Sequence, residues 1–233
     1  MNRRWVLLAG AVVLAGCRVE APGPLRHESR TIDRDNAERV RVDLEMGAGR
    51  LRVRSGASDK LLRADFTYNV PSWRPEVRYT SAAGRGNLSI RQPASAQTNF
   101  GHTEYEWELD LNRDVPLGVR IHFGAGEARL DLGDLSLRDV DVEMGVGKLD
   151  LDLRGDTQRS YDVRIHGGVG EATIYLPSAA GISADVEGGL GEIQAAGFHH
   201  EGRHYFNDAF SHAKNTIHLD VHGGVGQIRL ILA

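Results

Sequence analysis

VRIHGGVGEATIYL, residues 163–176, is the stretch on which the reading of this chain turns. An alternating apolar/polar run reaches the step Gly168-Val169-Gly170, and a second alternating run follows it. The pattern occurs six times: MGAG at 46–49, FGAG at 123–126, MGVG at 144–147, GGVG at 167–170, GGLG at 188–191 and GGVG at 223–226. The step glycines are therefore Gly47 and Gly49, Gly124 and Gly126, Gly145 and Gly147, Gly168 and Gly170, Gly189 and Gly191, and Gly224 and Gly226. From Gly124 onward the first glycines are 21, 23, 21 and 35 residues apart, the last interval holding an insertion. Recurrence on this scale marks a stacked-repeat architecture.

Three and five residues before each first glycine stand apolar residues, such as Ile165 and Val163. Four and six residues after it stand others, such as Leu149 and Leu151. The positions between are mostly Arg, Asp, Glu or His. Period-two alternation on both sides predicts strand, step, strand, with one face buried. The middle residue of each step is Ala48, Ala125, Val146, Val169, Leu190 or Val225. A tight hairpin would expose that residue at its tip, where Asn, Asp or Gly is usual. The apolar middles therefore favour a β-solenoid whose corners turn at the glycines, with the middle residues pointing inward as a core ladder. The expected fold is all-β, a single-stranded β-helix with about 21–23 residues per rung; an antiparallel β-sandwich is the alternative.

Residues 61–111 fit the period less well. Leu61–Tyr68 and Glu104–Leu111 read as strands, Gly84-Arg85-Gly86 as a degenerate copy of the step, and 71–75 and 92–101 as loops. Residues 197–215, GFHHEGRHYFNDAFSHAKN, interrupt the last interval with an aromatic- and histidine-rich insertion.

The N-terminus is MNRRWVLLAGAVVLAGC. Arg3 and Arg4 precede an apolar run too short to span a bilayer comfortably, in the form of a secretory signal. It ends in Leu14-Ala15-Gly16-Cys17, which resembles the bacterial lipobox. That resemblance implies cleavage before Cys17, lipidation of its sulfur, and a protein tethered to a membrane on the extracytoplasmic side. Arg18, where an aspartate would signal inner-membrane retention, favours the outer membrane in a diderm cell. Cys17 is the single cysteine, so no intrachain disulfide forms. Net charge is −4, and removal of Arg3 and Arg4 with the signal leaves −6. No concentrated basic face points to nucleic acid. The expected organisation is a signal peptide over 1–16, a lipidated tether over 17–36, an N-terminal β region over 37–118, and repeats over 119–233 with the insertion at 197–215.

The segments MGAGRLRV from Met46, LRADFTYNVP from Leu62, WRPEV from Trp73, LSIRQ from Leu88, VPLGV from Val115 and GAGEARLDL from Gly124 resemble the toast-rack N-terminal domain (DUF2154-like) of bacterial envelope proteins. The GGVGEATIYLP and GGLGEI copies resemble the C-terminal β-helical part of LiaF-like and adhesin-like proteins. Together the likeness covers roughly residues 40–233. It implies a right-handed β-helix in an extracytoplasmic setting. LiaF-like relatives regulate cell-wall stress signalling from a membrane-spanning N-terminus, which this chain replaces with a lipobox.

The steps are not phosphate cradles, because each is followed by a strand and none by a helix or a Lys-Ser/Thr pair. Two residues before each first glycine stands an outward column: Glu45, His122, Glu143, His166, Glu187, His222. From His122 on it alternates His and Glu along the chain. A solvated polar face is the plain reading; a cation- or proton-sharing ladder is the sharper one, without a closed four-ligand metal set. In the insertion, His200, His204 and Tyr205 are candidates for an interaction surface, while the segment Tyr205-Phe206-Asn207 resembles a structural feature of the family. Gly167, Gly188 and Gly223 stand where earlier copies carry Met46, Phe123 and Met144, so something bulky, such as the insertion's aromatics, is expected against them. No Ser/His/Asp or Cys/His set presents itself, and no cofactor or catalytic residue is assigned. The function expected is a non-enzymatic, lipid-anchored envelope scaffold or adhesin-like interaction module, partnered by the membrane and by envelope proteins or polymers, with its oligomeric state open. An accessory regulator of envelope stress is the second reading, and a cell-wall glycan-active enzyme the third.

Overall fold

Alternation on both sides of each step yields strands that run through the glycines without a break. The computed structural model describes residues 22–56, 58–93 and 103–233. In chain order its strands are β1 (Arg26–Asp33), β2 (Arg39–Ser55), β3 (Lys60–Tyr68), β4 (Glu76–Ala82), β5 (Arg85–Arg91), β6 (Tyr105–Leu111) and β7 (Leu117–Asp131). There follow β8 (Leu137–Asp152), β9 (Tyr161–Leu176), β10 (Gly181–Ala196), β11 (His199–Glu201), β12 (His204–Phe206) and β13 (Thr216–Leu232). All belong to one 13-stranded sheet. The six strands that carry steps pair in parallel and in register, so that Ala48 lies opposite Ala125, Ala125 opposite Val146, and Val146 opposite Val169. This is the stacking of a β-solenoid, each long strand bending at its step into a first and a second arm. Antiparallel pairing is confined to the end caps, which removes the sandwich for the repeats.

The spatial order of the rungs is not the chain order. β13 inserts between β9 and β10, giving β2-β7-β8-β9-β13-β10. Burial accounts for this. The second arm of β13 offers Ile228 and Leu230, which become 6% and 1% exposed. That of β10 offers Ile193 and Ala195, which stay half-buried at the end of the stack. The strand with more apolar surface takes the interior place.

At the other end β5 pairs with the first arm of β2 and β6 with the second. Together they make a rung beside β2. Gln92 caps the β2 corner: its Oε1 accepts hydrogen bonds from the N–H groups of Gly47 (2.7 Å) and Ala48 (3.4 Å). Gly84-Arg85-Gly86 is not a degenerate step but the turn and first strand residues of the β4–β5 hairpin. Residues 17–36 are likewise not all tether, because β1 pairs antiparallel with β3 from Arg26 to Asp33. Its residues are mostly exposed on both faces, so it carries no hydrophobic alternation to read. Residues 71–75 contain a short 3-10 turn, Pro71–Trp73.

The inward-pointing ladder of step middles is overturned. Val146, Val169, Leu190 and Val225 are 54%, 49%, 74% and 48% exposed. In β2 the buried residues are Val40, Val42, Leu44 and Met46 before the step, and Leu51 and Val53 after it. The parity of burial thus changes across the step. Counted from the left, the middle residue belongs inside; counted from the right, outside. The right-hand phase wins, because the chain turns around Met46 and Leu51 and carries Ala48 over the outside of the bend.

The residue before each step fills the inner corner: Met46, Phe123 and Met144 are 2%, 2% and 7% exposed. Where glycine replaces it, the filler is not the insertion's aromatics. A Cβ on Gly188 would meet Ile193 Cδ1 at 3.6 Å, and one on Gly223 would meet Ile228 Cδ1 at 3.0 Å. In these two strands the isoleucine four residues after the first step glycine folds back over its own strand's glycine. β9 has Gly167 with Ala172 and so has neither filler. A small cavity of about 60 Å³ lies there, lined in part by Met144, Ile165, Gly167 and Ala172. A Cβ on Gly167 would meet nothing closer than His222 O at 3.9 Å. Gly167→Ala is therefore expected to stabilise the fold by about 0.5–1 kcal/mol, read as a rise in urea midpoint.

At the N-terminal end the core is aromatic, with Trp107 edge-on to Phe66 at 5.7 Å and to Tyr105 at 5.8 Å. Burial pushes the phenols of Tyr105 and Tyr161 up. Folded chains therefore hold these protons to higher pH than unfolded ones, which release them near about pH 10. The unfolded state binds fewer protons there, so stability is present below that pH and falls as pH rises through it. Tyr161→Phe is expected to flatten this alkaline decline, measured as urea midpoints between about pH 9 and pH 11.

Candidate functional site

The bent strands bring six steps into one long edge, and its surface is built in columns. Moving across it, the His/Glu column comes first, then the first glycines, the apolar middles, the second glycines, and a column of charge. In a parallel stack, equivalent residues on neighbouring rungs lie about 4.8 Å apart. The glycine columns exist because the rungs approach too closely for side chains. A Cβ on Gly168 would lie 2.4 Å from Gly145 O, and one on Gly224 would lie 2.3 Å from Gly168 O. At Gly170 the carbonyl of Gly147 would be 1.8 Å away, and φ is +146°. The edge is thus backbone with one apolar side chain per rung rising from it: Ala48, Ala125, Val146, Val169, Val225 and Leu190 in spatial order. Contiguous exposed apolar residues of this kind mark contact surfaces.

Beside this ridge runs an open groove of about 1030 Å³. Glu45, His122, Glu143, His166 and His222 line it, and Trp73, Gln92 and Pro93 contribute at the β2 end. The insertion of β13 changes the order of its polar column. In space it reads Glu45, His122, Glu143, His166, His222, Glu187, so the strict alternation expected from chain order fails at His166 and His222. These two imidazoles stack with centroids 5.1 Å apart and planes 4° from parallel. His122 Nδ1 lies 2.9 Å from Glu143 Oε2, and His222 Nε2 lies 2.8 Å from Asp220 Oδ1. Glu187 pairs with Arg203 of the insertion and stands 3.6 Å from His222 Nδ1. Among the described residues no group of three or more His, Cys, Asp or Glu is arranged to hold a metal ion.

His200, His204 and Tyr205 do not line this groove. They sit in the β11–β12 hairpin, which packs antiparallel on the first arm of β10 through Ser183–Asp185. His200 lies opposite Tyr205 and Glu201 opposite His204, so the two histidines face opposite sides of the hairpin. Asn207 follows directly and is buried. Its Oδ1 accepts the Ile182 N–H at 2.9 Å and its Nδ2 donates to Ala180 O at 2.8 Å, locking the insertion to β10. The sequence assigns no role to Gln92, beyond its place at the end of LSIRQ, and none to Asn112. Both sit next to strand ends rather than in any repeat, so no periodicity singles them out. Leu14, Ala15, Gly16 and Cys17 lie outside the described residues.

On the second arm the outward residues form cross-strand charge pairs, including Arg50 with Glu106 at 3.0 Å and Arg52 with Glu108 at 3.1 Å. These are exposed and contribute little each. Paired carboxylates here are matched to arginines along a sheet face rather than gathered in a cleft.

Fold and edge together define a stacked-strand repeat protein with one continuous exposed corner. The chain belongs to the toast_rack family: the model of its N-terminal domain, DUF2154, matches residues 21–175. The crystal structure of a candidate cell adhesion protein from Clostridium sporogenes is 32% identical, with a TM-score of 0.85 over 90% of this chain and 100% of that one. A candidate adhesin from Bacteroides fragilis covers 91% of this chain and 99% of its own at 12% identity, but its TM-score of 0.32 carries no argument. No curated protein matches the chain.

Proposed function

We propose that this chain is a non-catalytic, adhesin-like interaction module of the bacterial cell envelope, held at a membrane by lipid on Cys17 and facing the extracytoplasmic side. The observation that carries the reading is the ridge: Val146, Val169, Val225 and Leu190 stand exposed on four adjacent rungs. Exposed apolar side chains in unbroken series disfavour a protein that works alone, and contact with a partner offsets their cost. The description of the Clostridium sporogenes relative as a candidate cell adhesion protein agrees in kind. The lipobox supports the anchor. The partner class is an envelope protein or polymer, contacted through the ridge and the groove beside it.

Cells bearing the full chain are expected to attach to a second cell or surface more than cells lacking it. Changing Val146, Val169, Leu190 and Val225 together to serine is expected to abolish the gain while leaving the melting temperature within a few degrees, as for other surface changes. Unaltered attachment with the quadruple variant would remove the ridge from the account. Fractionation of Cys17→Ala checks the anchor, which is lost if membrane attachment persists after signal cleavage.

A further inference from the structure

The two ends of the stack treat their sheet edges differently. Beyond the second arms, one end finishes in β1 and the other in the second arm of β10. β1 is a defended edge. Arg26, Glu28 and Arg30 lie opposite Tyr68, Phe66 and Ala64, the buried side of β3, so charges sit on the core-facing side of the last strand. Inward charge is a standard device against pairing with another chain. β10 has no such device. Its insertion cap bonds to the first arm, from Ile182 to Glu187, and among the described residues its second arm forms strand pairs with β13 alone. On the core-facing side stand Ile193 and Ala195, half-buried where the equivalent Ile228 and Leu230 of β13 are 6% and 1% exposed. The outward side carries Glu192, Gln194 and Ala196, with a single charge among them.

From this asymmetry we infer that the second arm of β10 is a homodimer interface, two copies adding their sheets edge to edge about a twofold axis near Gln194. The edge is self-complementary in that arrangement. A twofold makes the two strands antiparallel. With Gln194 opposite its own copy, Ile193 meets Ala195 of the second copy, a large residue against a small one on the core-facing side. Glu192 meets Ala196 of the second copy, so the carboxylates are not opposed. Edge N–H and C=O groups of the arm gain partners, Ala195 O already accepting the Phe198 N–H at 3.3 Å, and Ile193 and Ala195 gain the cover that Ile228 and Leu230 have in β13. A head-to-tail chain of copies is disfavoured, because it would set Ile193 and Ala195 against the core-side charges of β1. The inference is independent of the ridge: it uses a different face, and neither fails with the other.

The test is disulfide trapping in the full-length chain in its native envelope. Opposed residues of an antiparallel pair have Cα atoms about 4.5–5.5 Å apart, within disulfide reach. Gln194→Cys is expected to give a covalent dimer on mild oxidation, whereas Arg129→Cys, on the same face at an inner rung, is not. Ile193→Lys in the Gln194→Cys background is expected to cut the dimer yield at least about tenfold, as a charge on the core side of an edge strand opposes pairing. Equal yields from Gln194→Cys and Arg129→Cys, or a yield indifferent to Ile193→Lys, would overturn the interface. Capture of Gln194→Cys by a different polypeptide in place of a second copy would overturn it too. Thermal melts of each variant separate loss of pairing from loss of fold.

Discussion

Gly170→Ala is expected to destabilise the protein by at least about 3 kcal/mol, enough to leave much of it unfolded or insoluble. Two independent costs meet at this position. Its φ of +146° is one that residues with a Cβ rarely adopt. Its Cβ would also lie 1.8 Å from Gly147 O, which belongs to a neighbouring rung and is held by the parallel ladder. Relief would require the two rungs to part at the corner, breaking hydrogen bonds on both arms. The neighbouring Gly167→Ala, expected to be mildly stabilising, is the internal control: the same chemical change three residues away, on the same strand, with the opposite sign. Urea unfolding of the two variants beside the parent checks both. If the two changes shifted stability alike, close approach of the rungs would not be what the second glycine column serves.

Asn112→Ala is expected to cost about 3 kcal/mol, because it removes at once the partner of four backbone groups, one of them buried, and empties a fully buried side-chain position. Asn112 is fully buried. Its Nδ2 donates to Ser58 O at 2.9 Å and Lys60 O at 2.7 Å. Its Oδ1 accepts the N–H groups of Asp114 at 2.9 Å and Val115 at 3.0 Å. One side chain thereby joins the turn after β2 to the segment that feeds β7. Alanine removes the partner of four backbone groups, of which the Val115 N–H is buried, and an unmade bond at a buried group costs more than a made one contributes. Equilibrium unfolding measures the loss. A drop below about 1 kcal/mol would mean that water or local rearrangement replaces the amide.

The repeats were legible because each arm buries one face, and a half-buried strand writes its burial into alternate residues. Parallel stacking followed from the near-constant spacing of the steps. Three features were not legible, each for a physical reason. The direction of Val169 and its equivalents depends on which arm sets the phase across the bend, and the two arms give opposite answers. The place of β13 between β9 and β10 depends on a comparison of second-arm burial, Ile228 and Leu230 against Ile193 and Ala195, which no local pattern expresses. β1 buries little on either face, so nothing marks its residues as a strand. The candidate site was named in part: the His/Glu column does line the groove, but its order, and the stacking of His166 on His222, follow from the exchanged rungs. Gln92 caps the step of β2, a role that exists only once β5 is paired beside it.

The central claim is that the glycine steps turn their apolar middle residues outward and so create the contact edge. Cysteine accessibility tests it directly in purified protein carrying Cys17→Ser. Val169→Cys is predicted to react with a maleimide in the native state at nearly the rate found in denaturant, while Val163→Cys, on the same strand and fully buried in the parent, reacts only after unfolding. Protection of Val169→Cys equal to that of Val163→Cys would place the middle residues inside the corner and contradict the account.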